Sequence, residues 1–232
     1  MSIYYIFIII CIIIIIFNSN VDYYTNNKRC DYDHLILNKN ELKDTHELLL
    51  EFLSFSDAKS IDYFAIAGTL IGTIRQGGLM PLDDDIDFGI LEKDAHFFEK
   101  YNSETYEIKP VIFGYKLSKK IRKTHRKYVV LDIFVFKLKD NKYKIQNNQF
   151  HNESFETDEI FPLLISKYNN INIKVPNEYK KYLDRSFPEW DTKMKLQCDH
   201  LDNQCTYKNI LKLNDEYPVD EDNIYMCHSL FE

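Results

Sequence analysis

The sequence predicts an α+β domain, a mixed sheet flanked by helices, behind an apolar N-terminal segment. Three observations carry that reading. Strand-like and helical stretches alternate too irregularly, and the strands lie too close together, for repeated βαβ units. The pairs Asp140-Asn141 and Asn169-Asn170 sit between strand patterns as hairpin turns. Four aspartates, Asp83, Asp84, Asp85 and Asp87, crowd the mouth of one apolar strand, where like charges need a compensating partner.

Taken in order, Ile3 to Phe17 is fifteen uncharged residues, ten of them isoleucine. With no polar face it does not suit a core helix. As a helix it would span roughly 22 Å, near the range of thin bilayers. Residues 1–20 therefore read as a signal anchor or signal peptide, 21–38 as a stalk and 39–232 as the folded domain. No small-residue cleavage pattern follows in "NSNVDYY", which favours a retained, single-pass membrane anchor with the domain in the secretory lumen. Lys28 and Arg29 after the segment argue for a cytosolic domain instead, and both orientations stay open. Asn152-Glu153-Ser154 is a glycosylation sequon that matters only on the lumenal side. Cys30, Cys198, Cys205 and Cys227 read as disulfides or free thiols ahead of zinc, since no CxxC pair is present.

Leu42, Leu48, Leu49, Phe52, Leu53 and Phe55 recur at helical spacing over residues 39–56. "DYFAIAG" (62–68) reads as a short buried strand and "TLIGTIRQ" as a short helix, broken by Gly77, Gly78 and the Pro81 turn. "DIDFGI" is the next strand, followed by a helix over 93–101. "VIFGYKLS" and "KYVVLDIFVFKL" each read as one strand, the second pairing with "NKYKIQ". A hairpin over "FPLLISKYNNINIKVP" and a helix over 177–185 follow.

Alternation along "DIDFGI" decides which carboxylates meet. With Ile86 and Phe88 toward the core, Asp85 and Asp87 share the opposite face, a ready ligand pair for a divalent cation such as Mg²⁺ or Mn²⁺. A solvated acidic turn would not lead so directly into an apolar strand. An EF-hand fails, because Phe88 stands where its glycine must be. Asp132 is the lone carboxylate in "YVVLDIFVF", a strand that reads as buried on both faces, so it too requires a cation or several donors. Two strand carboxylates, a third from another strand and a small-residue turn before a short helix resemble the nucleotidyltransferase fold. That resemblance implies Gly68 and Thr69 as the turn that holds a phosphate, with Arg75 to neutralise a phosphate oxygen. Seven Lys or Arg between Lys116 and Lys127 read either as an anion grip or as a solvated loop. The formal charge of −7 leaves no general field for nucleic acid.

"GTLIGTIRQGGLMPLDDDID" resembles the LicD group, which includes bacterial phosphocholine transferases and the eukaryotic fukutin and fukutin-related proteins. That family's pattern runs approximately G-T-L-L-G-x-x-R-x-x-G-x-I-P-W-D-D-D-I-D. "LDIFVF" and "INIKVPNEYKKYLDRSFPEW" extend the resemblance to Trp190. Leu82 stands in place of the family's tryptophan and Pro188 in place of a glycine. The resemblance implies transfer of a phospho-alcohol, of the phosphocholine or ribitol-phosphate type, from a CDP-linked donor to a glycan or glycoprotein acceptor. It implies Asp85, Asp87 and Asp132 as catalytic metal ligands, and Gly68, Thr69 and Arg75 as donor-phosphate contacts. Two rival functions are a sugar-nucleotide glycosyltransferase using Asp85 and Asp87, and an inactive glycan-binding protein of the same fold.

Overall fold

The computed structural model describes residues 37, 39–80, 83–121, 129–145, 147–150, 153–199 and 204–209, all within the unit Tyr32–Glu232. The apolar run at 3–17, Lys28, Arg29, Cys30, Leu82, Asn152, Cys227 and the second half of the basic run, 122–127, lie outside the described residues. Among the described residues no helix is long and apolar enough to cross a membrane.

Helix α1 (Lys39–Ala58) places Leu48, Leu49 and Phe52 against the sheet and leaves Leu50 exposed, as the helical spacing of its leucines requires. Strand β1 (Tyr63–Ala65) is shorter than the sequence pattern indicates. Ile66 already caps helix α2 (Ala67–Gln76), and Ala67 is left-handed at φ 45°. Strand β2 (Asp85–Leu91) follows, then a 3₁₀ turn over Glu92–Asp94 and the short helix α3 (Ala95–Glu99), a smaller element than the 93–101 helix expected.

The segment "VIFGYKLS" is not one strand. The chain reverses at Ile112 and Phe113 between β3 (Tyr106–Val111) and β4 (Gly114–Lys119). A Cβ on Gly114 would come 2.1 Å from the Ile133 carbonyl oxygen, so the reversal packs too tightly on the next strand for any larger residue. Strand β5 (Val130–Lys139) then turns through Asp140 and Asn141, both at positive φ, into β6 (Lys142–Ile145), as those turn residues predict. Strand β7 (Ser154–Glu156) was not legible beforehand. The hairpin β8 (Leu164–Tyr168) and β9 (Ile171–Val175) turns at Asn169 and Asn170, again at positive φ. Helix α4 (Tyr179–Ser186) and the hairpin β10 (Lys193–Asp199) and β11 (Gln204–Asn209) follow, the latter with Cys198 and Cys205 opposite one another in register.

The main sheet runs β1-β2-β5-β4-β3, with β6 on β5 and β7 on β6. The pair β2–β5 is parallel and its other pairings are antiparallel, so the sheet is mixed. Two aromatic clusters cover its faces. On one, Phe52 of α1 stacks on Phe88 at 4.6 Å, with Tyr63 and Phe98 beside them. On the other, Phe64, Phe136, Phe155 and Tyr182 meet ring to ring. Gly89 makes the second cluster possible, since a Cβ there would lie 2.5 Å from the Phe64 ring and 2.8 Å from the Phe136 ring.

Candidate metal and phosphate site

Gly89 lies on the same face of β2 as Asp85 and Asp87, so the carboxylates sit at one end of the Phe64–Phe136 face. The parallel register places Asp87 directly beside Asp132. One oxygen from each of Asp85, Asp87 and Asp132 lies within 4.8 Å of the others, and Asp83, Asp84 and Asp85 form a second such group. The three carboxylates expected to share a cation are thus brought together by strand register. Asp87 is 9% exposed and Asp132 5%.

Burial raises all three carboxyls, and Lys116 opposes the shift at Asp85 and Asp132. Burial, then the neighbouring charges of Asp132 and Asp84, pushes Asp85 up to about 6, against the pull of Lys116. Burial followed by Asp85, Asp83, Asp132 and Glu153 holds Asp87 well above the carboxylate range. Asp83 is raised the same way, by burial and then Asp85 and Asp84. Its Oδ2 is buried with no hydrogen-bond partner among the described residues, as is the Tyr168 hydroxyl. A hard dication bound by oxygens of Asp85, Asp87 and Asp132 would relieve their repulsion, and an all-oxygen donor set suits Mg²⁺ or Mn²⁺ better than zinc. The residues present fit such an ion.

Gly68, Thr69 and Arg75 shape this site. The space left by Gly68 is filled by Asp83, whose Oδ2 lies 2.4 Å from where a Cβ would stand, and by the Met80 methyl. Thr69 is buried, and its Oγ1 accepts the Asp87 N–H at 2.8 Å. The Asp87 carbonyl in turn accepts from Ile66 N at 3.3 Å, so both backbone groups of Asp87 are held by the start of α2. Arg75 Nη1 donates to the Trp190 carbonyl at 2.9 Å and Nη2 to Met80 Sδ at 3.1 Å. Burial lowers Arg75 to about 10, while the Asp83 charge pulls it back up.

Four further residues lie at the site, of which only Lys116 figures in a candidate binding motif, as the head of the basic run. Lys116 Nζ donates to both oxygens of Asp132, at 2.8 and 2.7 Å. Glu153, noticed only as the middle of a sequon, accepts from the Tyr182 hydroxyl and is pushed up to about 7 by burial, the tyrosine opposing. Tyr182 Oη also accepts the Ala67 N–H at 3.3 Å, bracing the left-handed residue that opens α2. Tyr168 is fully buried, and Asp83, Asp87 and Asp85 add to the burial that raises its hydroxyl. A strand-period count could have flagged Lys116, but its pairing with Asp132 depends on the β4–β5 register. Of the other basic-run residues described, Lys119 is tied to Asp44 and Glu47 of α1 and Lys120 Nζ donates to the Ser103 carbonyl.

The model of the family described as LicD/FKTN/FKRP, nucleotidyltransferase domain, matches residues 60–178. The chain belongs to this family and carries its nucleotidyltransferase domain. Among curated proteins it is 33% identical over 177 residues to an uncharacterized protein of Rickettsia typhi, a match covering 74% of this chain and 52% of that protein. An uncharacterized protein of Rickettsia prowazekii is 30% identical over 154 residues, covering 65% of this chain and 53% of that one. The chain thus spans about half the length of the curated relatives it matches. Among solved structures, the lincosamide antibiotic adenylyltransferase LnuA in its lincomycin-bound form aligns with a TM-score of 0.42 at 18% identity, covering 68% of this chain and 91% of that one. ANT(2'')-Ia in complex with adenylyl-2''-tobramycin aligns with a TM-score of 0.39 at 14% identity, covering 80% and 90%.

Proposed function

We propose that this domain is a divalent-metal-dependent phosphotransferase that moves a phospho-alcohol from a CDP-linked donor to a glycan hydroxyl. The observation that carries the reading is the convergence of Asp85, Asp87 and Asp132 within 4.8 Å in a domain of the LicD/FKTN/FKRP family. In the reaction an acceptor hydroxyl oxygen bonds to the alcohol-bearing phosphorus. The oxygen bridge to the nucleotide's phosphate breaks, CMP departs, and the hydroxyl proton is lost. A Mg²⁺ or Mn²⁺ ion held by the three carboxylates would supply charge neutralisation for the phosphates.

The chain's own groups supply the rest. Asp85 and Asp87 project from a strand whose backbone is fixed by Thr69 and Ile66, so the ligand pair is preorganised. Arg75, anchored by the Trp190 carbonyl, keeps a positive charge beside Asp83 on the donor-phosphate side. Glu153 is a carboxylate near Asp87 poised to hold a proton near neutral pH.

The test is a nucleotide-release screen. The chain is offered CDP-choline, CDP-ribitol, CDP-glycerol and common sugar nucleotides with Mg²⁺ or Mn²⁺ and a glycan acceptor. CMP release from a CDP-alcohol, lost in EDTA and in Asp85→Asn, is the expected result. Release from sugar nucleotides alone would replace the reading with a glycosyltransferase.

A further inference from the structure

Lys116 is the cation at the site that the reaction above leaves unused. It stands directly opposite Asp132 in the β4–β5 register and gives both Asp132 oxygens a hydrogen bond from one ammonium. Its side chain is still 35% exposed, against 7% for Asp132, so the lysine side chain is partly open to solvent. Its Nζ also sits 5.3 Å from the centre of the Phe113 ring. A cation shared by Asp85, Asp87 and Asp132 needs an Asp132 oxygen, and an ammonium fixed on both oxygens of that carboxylate competes for it. Lys116 has three donors on a flexible stem and needs an anion wherever it goes. The anion that arrives at a metal-loaded site of this kind is the donor's diphosphate.

We propose that Lys116 is a donor-diphosphate ligand: in the loaded site Nζ leaves at least one Asp132 oxygen and binds a phosphate oxygen of the donor. This rests on the metal-dependent reading above and deepens it, because it places the phosphates on the β4 side of the carboxylates as well as on the Arg75 side. It also explains why a lysine is spent on this carboxylate. The same side chain that offsets the charge of Asp132 is within reach of the substrate.

The test uses the full chain, Mn²⁺ alone, and inorganic pyrophosphate as the diphosphate probe, followed by calorimetry. Lys116→Met should bind Mn²⁺ several-fold more tightly than wild type, since the competitor for Asp132 is gone. Pyrophosphate should bind Mn²⁺-loaded Lys116→Met at least tenfold more weakly than the loaded wild type. Lys116→Arg, which keeps the charge, should recover most of that loss. Lys116→Gln repeats the comparison if the methionine variant does not fold. Pyrophosphate affinity within twofold of wild type in the loaded neutral variant would overturn the proposal and leave Lys116 an ion-pair partner of Asp132. Wild type that takes up no Mn²⁺ would overturn the metal reading and this proposal with it. Wild type that binds Mn²⁺ with unchanged pyrophosphate affinity in the variants defeats the Lys116 proposal alone.

Discussion

Glu153 shows how much of a site one residue can hide. In the sequence it is an acidic residue inside a sequon; in the fold it is a buried carboxyl joined to Tyr182 and near Asp87. Burial raises it from the ordinary glutamate range to about 7, so the folded chain disfavours its charged form. The stability this contributes is fully present below the unfolded value near 4.5 and is lost as pH rises through about 7. Asp85, raised to about 6, acts in the same direction over a lower window. In EDTA at fixed ionic strength, the melting temperature should therefore fall between pH 5 and pH 8. Glu153→Gln, which keeps a partner for Tyr182, should remove about 2–4 °C of that fall in its upper half. Calorimetry across the range checks this, and an identical slope in the variant would refute it. By contrast Asp85, Asp87 and Asp132 were legible from sequence, because strand alternation and a lone carboxylate among apolar residues are local signals. Tyr168, Tyr182 and the pairing of Lys116 with Asp132 were not, because their partners come from other strands and helices.

Helix α2 links the glycines of the motif to two different jobs. At Gly68 an added Cβ would meet the Asp83 carboxylate, a side chain that can swing aside, whereas at Gly72 it would meet the Gly78 carbonyl oxygen at 2.3 Å. Gly78 N also donates to the Gly72 carbonyl, so that contact is backbone against backbone. Gly72→Ala should cost about 2 kcal/mol or more of stability, since the turn after α2 must move. Gly68→Ala should cost less stability but displace Asp83 and lower the divalent-ion response. Denaturant melts with and without Mn²⁺ separate the two, and equal losses of stability would contradict the assignment. The hairpins at Asp140-Asn141 and Asn169-Asn170 were readable because those residues tolerate positive φ. The β3–β4 reversal was not, because Ile112 and Phe113 carry no turn signal and the glycine follows rather than occupies the turn.

At the scale of the domain, the parallel pair within a mixed sheet sets Asp87 beside Asp132, and aromatic clusters pack on both faces of that sheet. The α+β class followed from the irregular spacing of short strands, whereas the parallel pairing of β2 with β5 depends on a crossover through α3, β3 and β4 that no local pattern announces. The chain belongs to the LicD/FKTN/FKRP family, and its Asp85, Asp87 and Asp132 carboxylates converge in the matched domain, where the proposed chemistry is placed. The central claim is that Asp85, Asp87 and Asp132 hold one divalent ion, and Mn²⁺ titration followed by electron paramagnetic resonance tests it most directly. Wild type should take up one tightly bound Mn²⁺, while Asp87→Asn loses at least tenfold in affinity and melts in EDTA at or above the wild-type temperature. Equal Mn²⁺ uptake by wild type and Asp87→Asn, or none by wild type, would contradict it.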